Sequence, residues 1–329
     1  MSQLFYPASK SPTLRENVIH NATIRLAEHL WRQSHPTILF DIDGPLLDAK
    51  RSINRPVRRI PYHKPLSKLE AAGVSLGVAT NRSTQHSISY LRKSGLQLNG
   101  PLITEEGQLT IHPNGKVAYL GHASHPDFLV ALKKELESHE AFESSWNTAK
   151  AKSADGTFAF TFGNYQFQGE TRLSIWSPVI EEQEEDVFLH RMEPVVQLTA
   201  SAYGLVYERD IEMEWKILKK KHINVIGIMG KKDGQPISKG RAAETLSGVW
   251  VFVGDGGKGD VEMAIETKSR GGLVIGITED ITTNSSFLDR TDIQLTPEDS
   301  LYVYNHAADV LEPISKPVML NSFQHLLKS

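Results

Sequence analysis

The run Thr37-Ile38-Leu39-Phe40 leads directly into Asp41-Ile42-Asp43-Gly44, and this junction restricts the chain to a small set of folds. A short apolar stretch rich in β-branched residues reads as a strand buried on both faces. Two carboxylates then stand at its C-terminal end, where open α/β sheets place their chemistry. Alternate residues of an extended backbone point the same way, so Asp41 and Asp43 converge on one small volume, and Gly44 lets the chain turn away. Like charges this close require a proton or a cation between them. A hard divalent ion such as Mg²⁺ prefers a few carboxylates together with water and phosphate oxygens, so the pair points to a metal site that handles phosphate. A helix cap or Asx turn explains a lone D-x-D-G equally simply, and the rest of the chain has to decide.

A length of 329 residues exceeds the usual single domain, so two domains are expected. The net charge of -3 supplies no electrostatic reason to expect nucleic acid or an anionic membrane as partner. With no cysteine in the chain, disulfides, thiolate catalysis and cysteine-ligated metal centres are excluded. The N-terminus lacks a basic region followed by an apolar one, and no apolar run approaches the ~18 residues of a membrane span. The expected location is the cytoplasm.

A helical stripe from Thr13 to Gln33 precedes the first strand and is stopped by Ser34-His35-Pro36. Beyond the aspartates, Pro45, Pro56, Pro61 and Pro65 interrupt any continuous helix until a short one, Pro65 to Ala72, ends at Gly73. Val74 to Ala79 reads as a second buried strand ending in Thr80-Asn81-Arg82. A helix over Thr84 to Lys93 and a third strand over Pro101 to Thr104 follow. Alternating strands and helices predict a doubly wound parallel sheet.

From Glu105 the texture changes. A hairpin turns at Asn114-Gly115, a helix runs from Asp127 to His139, and strands alternate around Phe158 to Phe162, Tyr165 to Gln168 and Leu173 to Trp176. The acidic run Glu181 to Asp186 opens another helix; a strand-like Leu205 to Glu208 and the basic segment Lys216 to Lys221 come after it. The parallel pattern resumes at Val249 to Val253, Gly272 to Ile277 and Asp292 to Leu295, and the residues after Pro313 show no docking pattern. The expected organisation is therefore a core from 1–104 and 231–329, with an α+β domain inserted at 105–230.

The order of polar residues at the strand ends is the informative part. Asp41 with Asp43, Thr80, Lys239 at the entry to a helix and Asp255 in Gly254-Asp255-Gly256-Gly257-Lys258-Gly259-Asp260 succeed one another along the chain. This order resembles the haloacid dehalogenase superfamily of phosphatases: a D-x-D motif, a Ser or Thr after the second strand, a basic residue, and G-D followed within a few residues by another acid. The large insertion, and Leu102-Ile103-Thr104-Glu105-Glu106-Gly107 at its entry, are similar to the sugar-phosphate phosphatase branch with its cap domain. Pro45, Asn81 and Gly259 depart from that branch, as does the short spacing from Lys239 to Asp255.

The resemblance implies Mg²⁺-dependent hydrolysis of a small phosphate monoester through an aspartyl-phosphate. Asp41 is then the nucleophile and Asp43 the general acid and base. The metal is held by Asp41, the Asp43 backbone carbonyl and Asp255, with Asp260 one layer out. Thr80, Asn81 and Lys239 bind the phosphoryl group, and the cap contacts the leaving group. Phosphoryl transfer between sugars, as in a mutase, uses the same scaffold.

A dinucleotide site competes for the same loop. Gly254-x-Gly256-x-x-Gly259 follows a strand and opens a helix, with Glu279 and Asp280 roughly 20 residues later. That reading leaves Asp41, Asp43, Thr80 and Lys239 without work. His122 and His125 lack a third ligand other than Asp127 and read as surface residues. Tyr165, Phe167 and Trp176 are aromatic candidates for a sugar contact, though core packing is the commoner use of such residues.

Overall fold

The computed structural model describes residues 12–46, 62–93, 95–96, 98–120, 126–138, 161–162, 174–179, 193–205, 215–217, 221–227, 231–232, 235–257, 259–278 and 285–311. Its frame is an eight-stranded sheet in the order β14-β13-β12-β1-β2-β3-β4-β5. The parallel strands are β1 (Thr37–Phe40), β2 (Ser75–Ala79), β3 (Leu102–Thr104), β12 (Val251–Gly254), β13 (Leu273–Ile277) and, at the edge, β14 (Ile293–Leu295). All of these pair in parallel, β1 lying between β12 and β2.

Period-two alternation divides the strand side chains between two layers. Ile38, Phe40, Leu76, Val78, Val251, Val253 and Ile275 face one core, shared with α1 (Pro12–Trp31), α2 (His63–Ala71) and α9 (Pro297–Leu311). Leu39, Ala79, Ile103, Phe252 and Val274 face the other, shared with α6 (Lys239–Ala243), α7 (Asp260–Ser269) and α8 (Ser285–Leu288). Ile38, Leu39 and Phe40 are each fully buried. The expected doubly wound α/β architecture is therefore present, with β1 at its centre.

Helix α3 (Thr84–Lys93) connects β2 to β3 as the sequence predicts. The expected hairpin forms from β4 (Leu109–Ile111) and β5 (Val117–Tyr119), but β4 pairs antiparallel with β3. The hairpin thus extends the main sheet rather than opening a separate unit. Further along, α4 (Pro126–Glu137) and a helix over residues 193–202, here α5, accompany a four-stranded antiparallel sheet. That sheet has the order β6-β7-β9-β8, from β6 (Thr161–Phe162), β7 (Ser174–Val179), β8 (Trp215–Ile217) and β9 (Lys221–Gly227). A small hairpin, β10 (Lys231–Lys232) with β11 (Gln235–Pro236), leads into α6. The expected strand Tyr165 to Gln168, the acidic run Glu181 to Asp186, His122, His125 and the chain from 312 onward lie outside the described residues, as do Leu173 and residues 206–208.

Helix α9 closes the structure. Thr296 caps it by accepting from the Asp299 amide at 3.1 Å, Pro297 opens it, and Glu298 and Asp299 occupy its positive first turn. Tyr304 is buried against Phe40 in an edge-on contact with ring centroids 5.8 Å apart. Helix α1 then packs on α9. Arg15 donates to Asp299 Oδ1 at 2.9 and 2.6 Å, while Arg25 reaches the Asp292 carbonyl at 2.7 Å and its carboxylate at 3.1 Å. Ala22, Leu26, Ala27 and Leu30 supply the apolar side of this contact.

Because Leu26 is fully buried, Leu26→Ala removes apolar contacts and leaves a cavity. Urea unfolding of the variant is expected to show a loss of about 2–5 kcal/mol. A loss below about 0.5 kcal/mol, typical of a surface change, would mean that α1 is an appendage and not part of the core.

Candidate active site

The parallel register brings the polar residues to one end of the sheet. Phe40 lies opposite both Val78 and Val253, so Asp41, Thr80 and Asp255 leave neighbouring strands at the same edge. The Asp41 amide donates to the Val253 carbonyl at 2.8 Å and continues the ladder one residue past the strand. Its own carboxylate Oδ1 accepts from the Ile42 amide at 2.8 Å, which fixes the orientation of the side chain.

Lys239 is the centre of the arrangement. Ser238 caps α6 by accepting from the Arg241 amide, and the next side chain, Lys239, is only 1% exposed. Its ammonium lies 2.5 Å from Asp260 Oδ1 and 3.3 Å from Asp41 Oδ2. Burial opposes the charge, but the carboxylates of Asp260 and Asp41 outweigh it and raise the lysine above its usual range. The reading of Lys239 as a solvated surface residue therefore fails.

Asp260 is saturated by the chain itself. Oδ1 takes Lys239, and Oδ2 accepts from the amides of Asp255 and Gly256, both at 3.1 Å. This arrangement also bears on the dinucleotide reading, since two amides of the glycine-rich loop already hold a carboxylate where a pyrophosphate would sit. Glu279 and Asp280 lie outside the described residues.

Asp41, Asp255 and Asp260 each offer a carboxylate oxygen within 4.8 Å of the others. Burial raises the Asp41 carboxyl well above the ordinary range; Lys239 opposes the shift, and the charges of Asp260, Asp255 and Asp43 reinforce it. Burial, followed by the charge of Asp260, pushes Asp255 up to about 6. Carboxylates that crowd one another in this way are compatible with a cation between them.

The loops are fitted to this cluster. Gly44 has φ +87, and a Cβ built on it would lie 2.2 Å from Asp255 Oδ2. Gly259, one of the departures noted in the sequence, has φ +81 and would place a Cβ 2.9 Å from the Lys239 side chain, with Asn81 Oδ1 nearby at 3.8 Å. Thr80 is buried, and its hydroxyl accepts from the Arg82 amide at 3.3 Å. All the site residues expected from the sequence thus belong to one edge of the sheet.

Sequence reasoning passed over two residues. Arg82 closes a two-pronged contact on Asp43, Nε to Oδ2 at 2.7 Å and Nη2 to Oδ1 at 2.6 Å. Its remaining nitrogen meets His86 Nε2 at 2.5 Å. Glu105, fully buried, accepts from the Thr84 amide and hydroxyl at 3.1 and 2.8 Å and so caps α3. Glu105 and Glu106 both hold positive φ, 55° and 61°, a costly backbone for residues with a Cβ. Nothing in their spacing announced either arrangement.

Two outcomes follow from this geometry. Gly44→Ala drives a methyl into Asp255 and requires an unfavourable φ, so any divalent-cation affinity measured by calorimetry should fall at least tenfold; unchanged affinity would contradict the loop packing. Burial, and then the Arg82 charge, lower His86 to about 4. Its neutral form is favoured in the fold, so its contribution to stability is complete above pH 6.5 and is lost as pH falls towards 4. With solvent screening allowed for, the loss is roughly 1–2 kcal/mol. His86→Asn should flatten the thermal midpoint over that interval relative to wild type, and an identical slope would refute it.

Residues 38–162 match the family model described as haloacid dehalogenase-like hydrolase. No curated protein matches the chain. Among solved structures, a Thermotoga maritima protein superposes with TM-score 0.48 at 15% identity, covering 86% of this chain and 98% of its own. Trehalose-6-phosphate phosphatase of Aspergillus fumigatus gives 0.46 at 11%, covering 88% and 97%. A Thermoplasma acidophilum protein gives 0.42 at 12%, covering 90% and 99%. The family model, not these superpositions, carries the likeness: residues 38–162 are similar to the haloacid dehalogenase-like hydrolases.

Proposed function

We propose that the protein is a Mg²⁺-dependent phosphatase that hydrolyses a small phosphorylated metabolite, of the sugar-phosphate class, through a phosphoryl group carried on Asp41. The observation that carries this reading is the buried Asp41 carboxylate with the Lys239 ammonium 3.3 Å away and Asp255 beside it. A carboxylate is a competent nucleophile towards phosphorus when cations offset the charge of the approaching phosphate.

The donor set fits a hard divalent cation: oxygen ligands only, with Asp41 Oδ1 and Asp255 Oδ1 each accepting from a single amide while Asp260 is committed to Lys239 and two amides. Asp41, the Asp43 backbone carbonyl and Asp255 would hold the ion, and Asp260 would orient its surroundings. When bound, the ion supplies positive charge to the phosphate oxygens. Lys239 adds a fixed charge on the other side of Asp41, while Thr80 and Asn81 present polar groups to the phosphoryl oxygens. Asp43 gives a proton to the departing oxygen and later takes one from the attacking water. Residues 121–236, between the main-sheet hairpin and the loop that enters α6, form the cap that covers the leaving group and selects it.

With a panel of phosphate esters, Mg²⁺ should support phosphate release and raise the thermal midpoint. Saturating the site at a hundredfold over its dissociation constant adds about 2.7 kcal/mol. Asp255→Asn should lose both effects while keeping its far-UV circular dichroism. Tight NAD(H) binding by calorimetry, without Mg²⁺ dependence or phosphate release, would replace this reading with the dinucleotide one.

A further inference from the structure

We propose that Arg82 is the positioning residue for Asp43, and that its two-pronged grip makes the protein selective for esters with basic alkoxide leaving groups; this inference rests on the phosphatase reading. Arg82 is itself locked from both ends. Its amide donates to Thr80 Oγ1 at 3.3 Å, its carbonyl accepts from the Glu105 amide at 2.9 Å, and its guanidinium meets His86 at 2.5 Å. The strained Glu105 turn, the loop after β2 and the first turn of α3 therefore hold one guanidinium in one place.

From that place the fork takes one lone pair from each Asp43 oxygen. Each oxygen is left with its outward lone pair, and that side is open: the Asp43 side chain is 38% exposed, against 12% for Arg82. A carboxylate on a freely rotating bond samples many directions of proton exchange, whereas a forked one is restricted to a plane. Fixing the plane matters only when a proton moves. In the first step the Asp41 oxygen forms its bond to phosphorus as the ester P–O bond breaks, and the Asp43 proton goes to the departing alkoxide. In the second, water attacks the same phosphorus, its proton passes to Asp43, phosphate leaves and the Asp41 carboxylate is restored. An alkoxide cannot depart without that proton, while p-nitrophenolate departs with little help.

The test uses the full chain with Mg²⁺ and two probes, glucose 6-phosphate and p-nitrophenyl phosphate. Arg82→Lys keeps a charge but cannot fork, and Arg82→Gln keeps neither. In single-turnover rapid quench, which isolates the ester-cleaving step from the hydrolysis that both esters share, both variants should retain the rate of nitrophenol release within about threefold of wild type, while the rate of glucose release from glucose 6-phosphate falls at least tenfold, more in Gln than in Lys. Thermal midpoints establish that each variant is folded, and the ratio of the two substrates within one variant is independent of how much of it is active. Equal losses on both esters would overturn the role of Arg82 and leave the phosphatase reading standing. A wild type that releases phosphate from neither ester would count against the phosphatase reading itself.

Discussion

The buried ammonium of Lys239 is the interaction on which the rest of the site depends. A lysine with 1% exposure is tolerated only when carboxylates surround it. Asp260 and Asp41 do so at 2.5 and 3.3 Å, from the start of α7 and the end of β1. The pair Lys239 and Asp260 also anchors the loop after β12, because the other oxygen of Asp260 holds the amides of Asp255 and Gly256. Charge burial here joins the loops after β1 and β12 to the start of α6. It thereby sets Asp41 beside Asp255, the arrangement on which the proposed function rests.

What the sequence makes legible is local or follows from period. The β1 run with its aspartates, the β2 run ending at Thr80, and Gly254-Asp255 each lie within a few residues of the strand that positions them. Lys239 is readable as a helix entry because Ser238 is a good capping residue. Helix α9 carries an equally plain signal, Thr296-Pro297-Glu298-Asp299. Strand β9 opens on Lys221-His222, and that polarity masked a β-branched interior. The hairpin β4–β5 shows a different limit: Asn114-Gly115 specifies a turn but not the sheet it joins, which is decided by pairing with β3. Arg82 lies at the far limit, since its meeting with Asp43 across 39 positions is purely tertiary.

The main sheet holds fixed charges in a buried, pre-organised frame. Under the proposed function, that is where their effect on a phosphoryl group is strongest, and the segment between the β4–β5 hairpin and α6 is left to choose the leaving group. Helix α1, outside the region matched by the family model, belongs to this frame. Its arginines tie α9 and the approach to β14 to the face of the sheet opposite α6 and α7.

The central claim is that Asp41 carries the phosphoryl group and Asp43 does not. Rapid quench of Asp43→Asn mixed with p-nitrophenyl phosphate and Mg²⁺, followed by mass spectrometry of the intact protein and its peptides, tests it directly. The account predicts a burst of nitrophenol and a protein heavier by one phosphoryl group, mapped to Asp41, with neither signal in Asp41→Asn. A phosphoryl adduct on any other residue, or one that persists in Asp41→Asn, would contradict it.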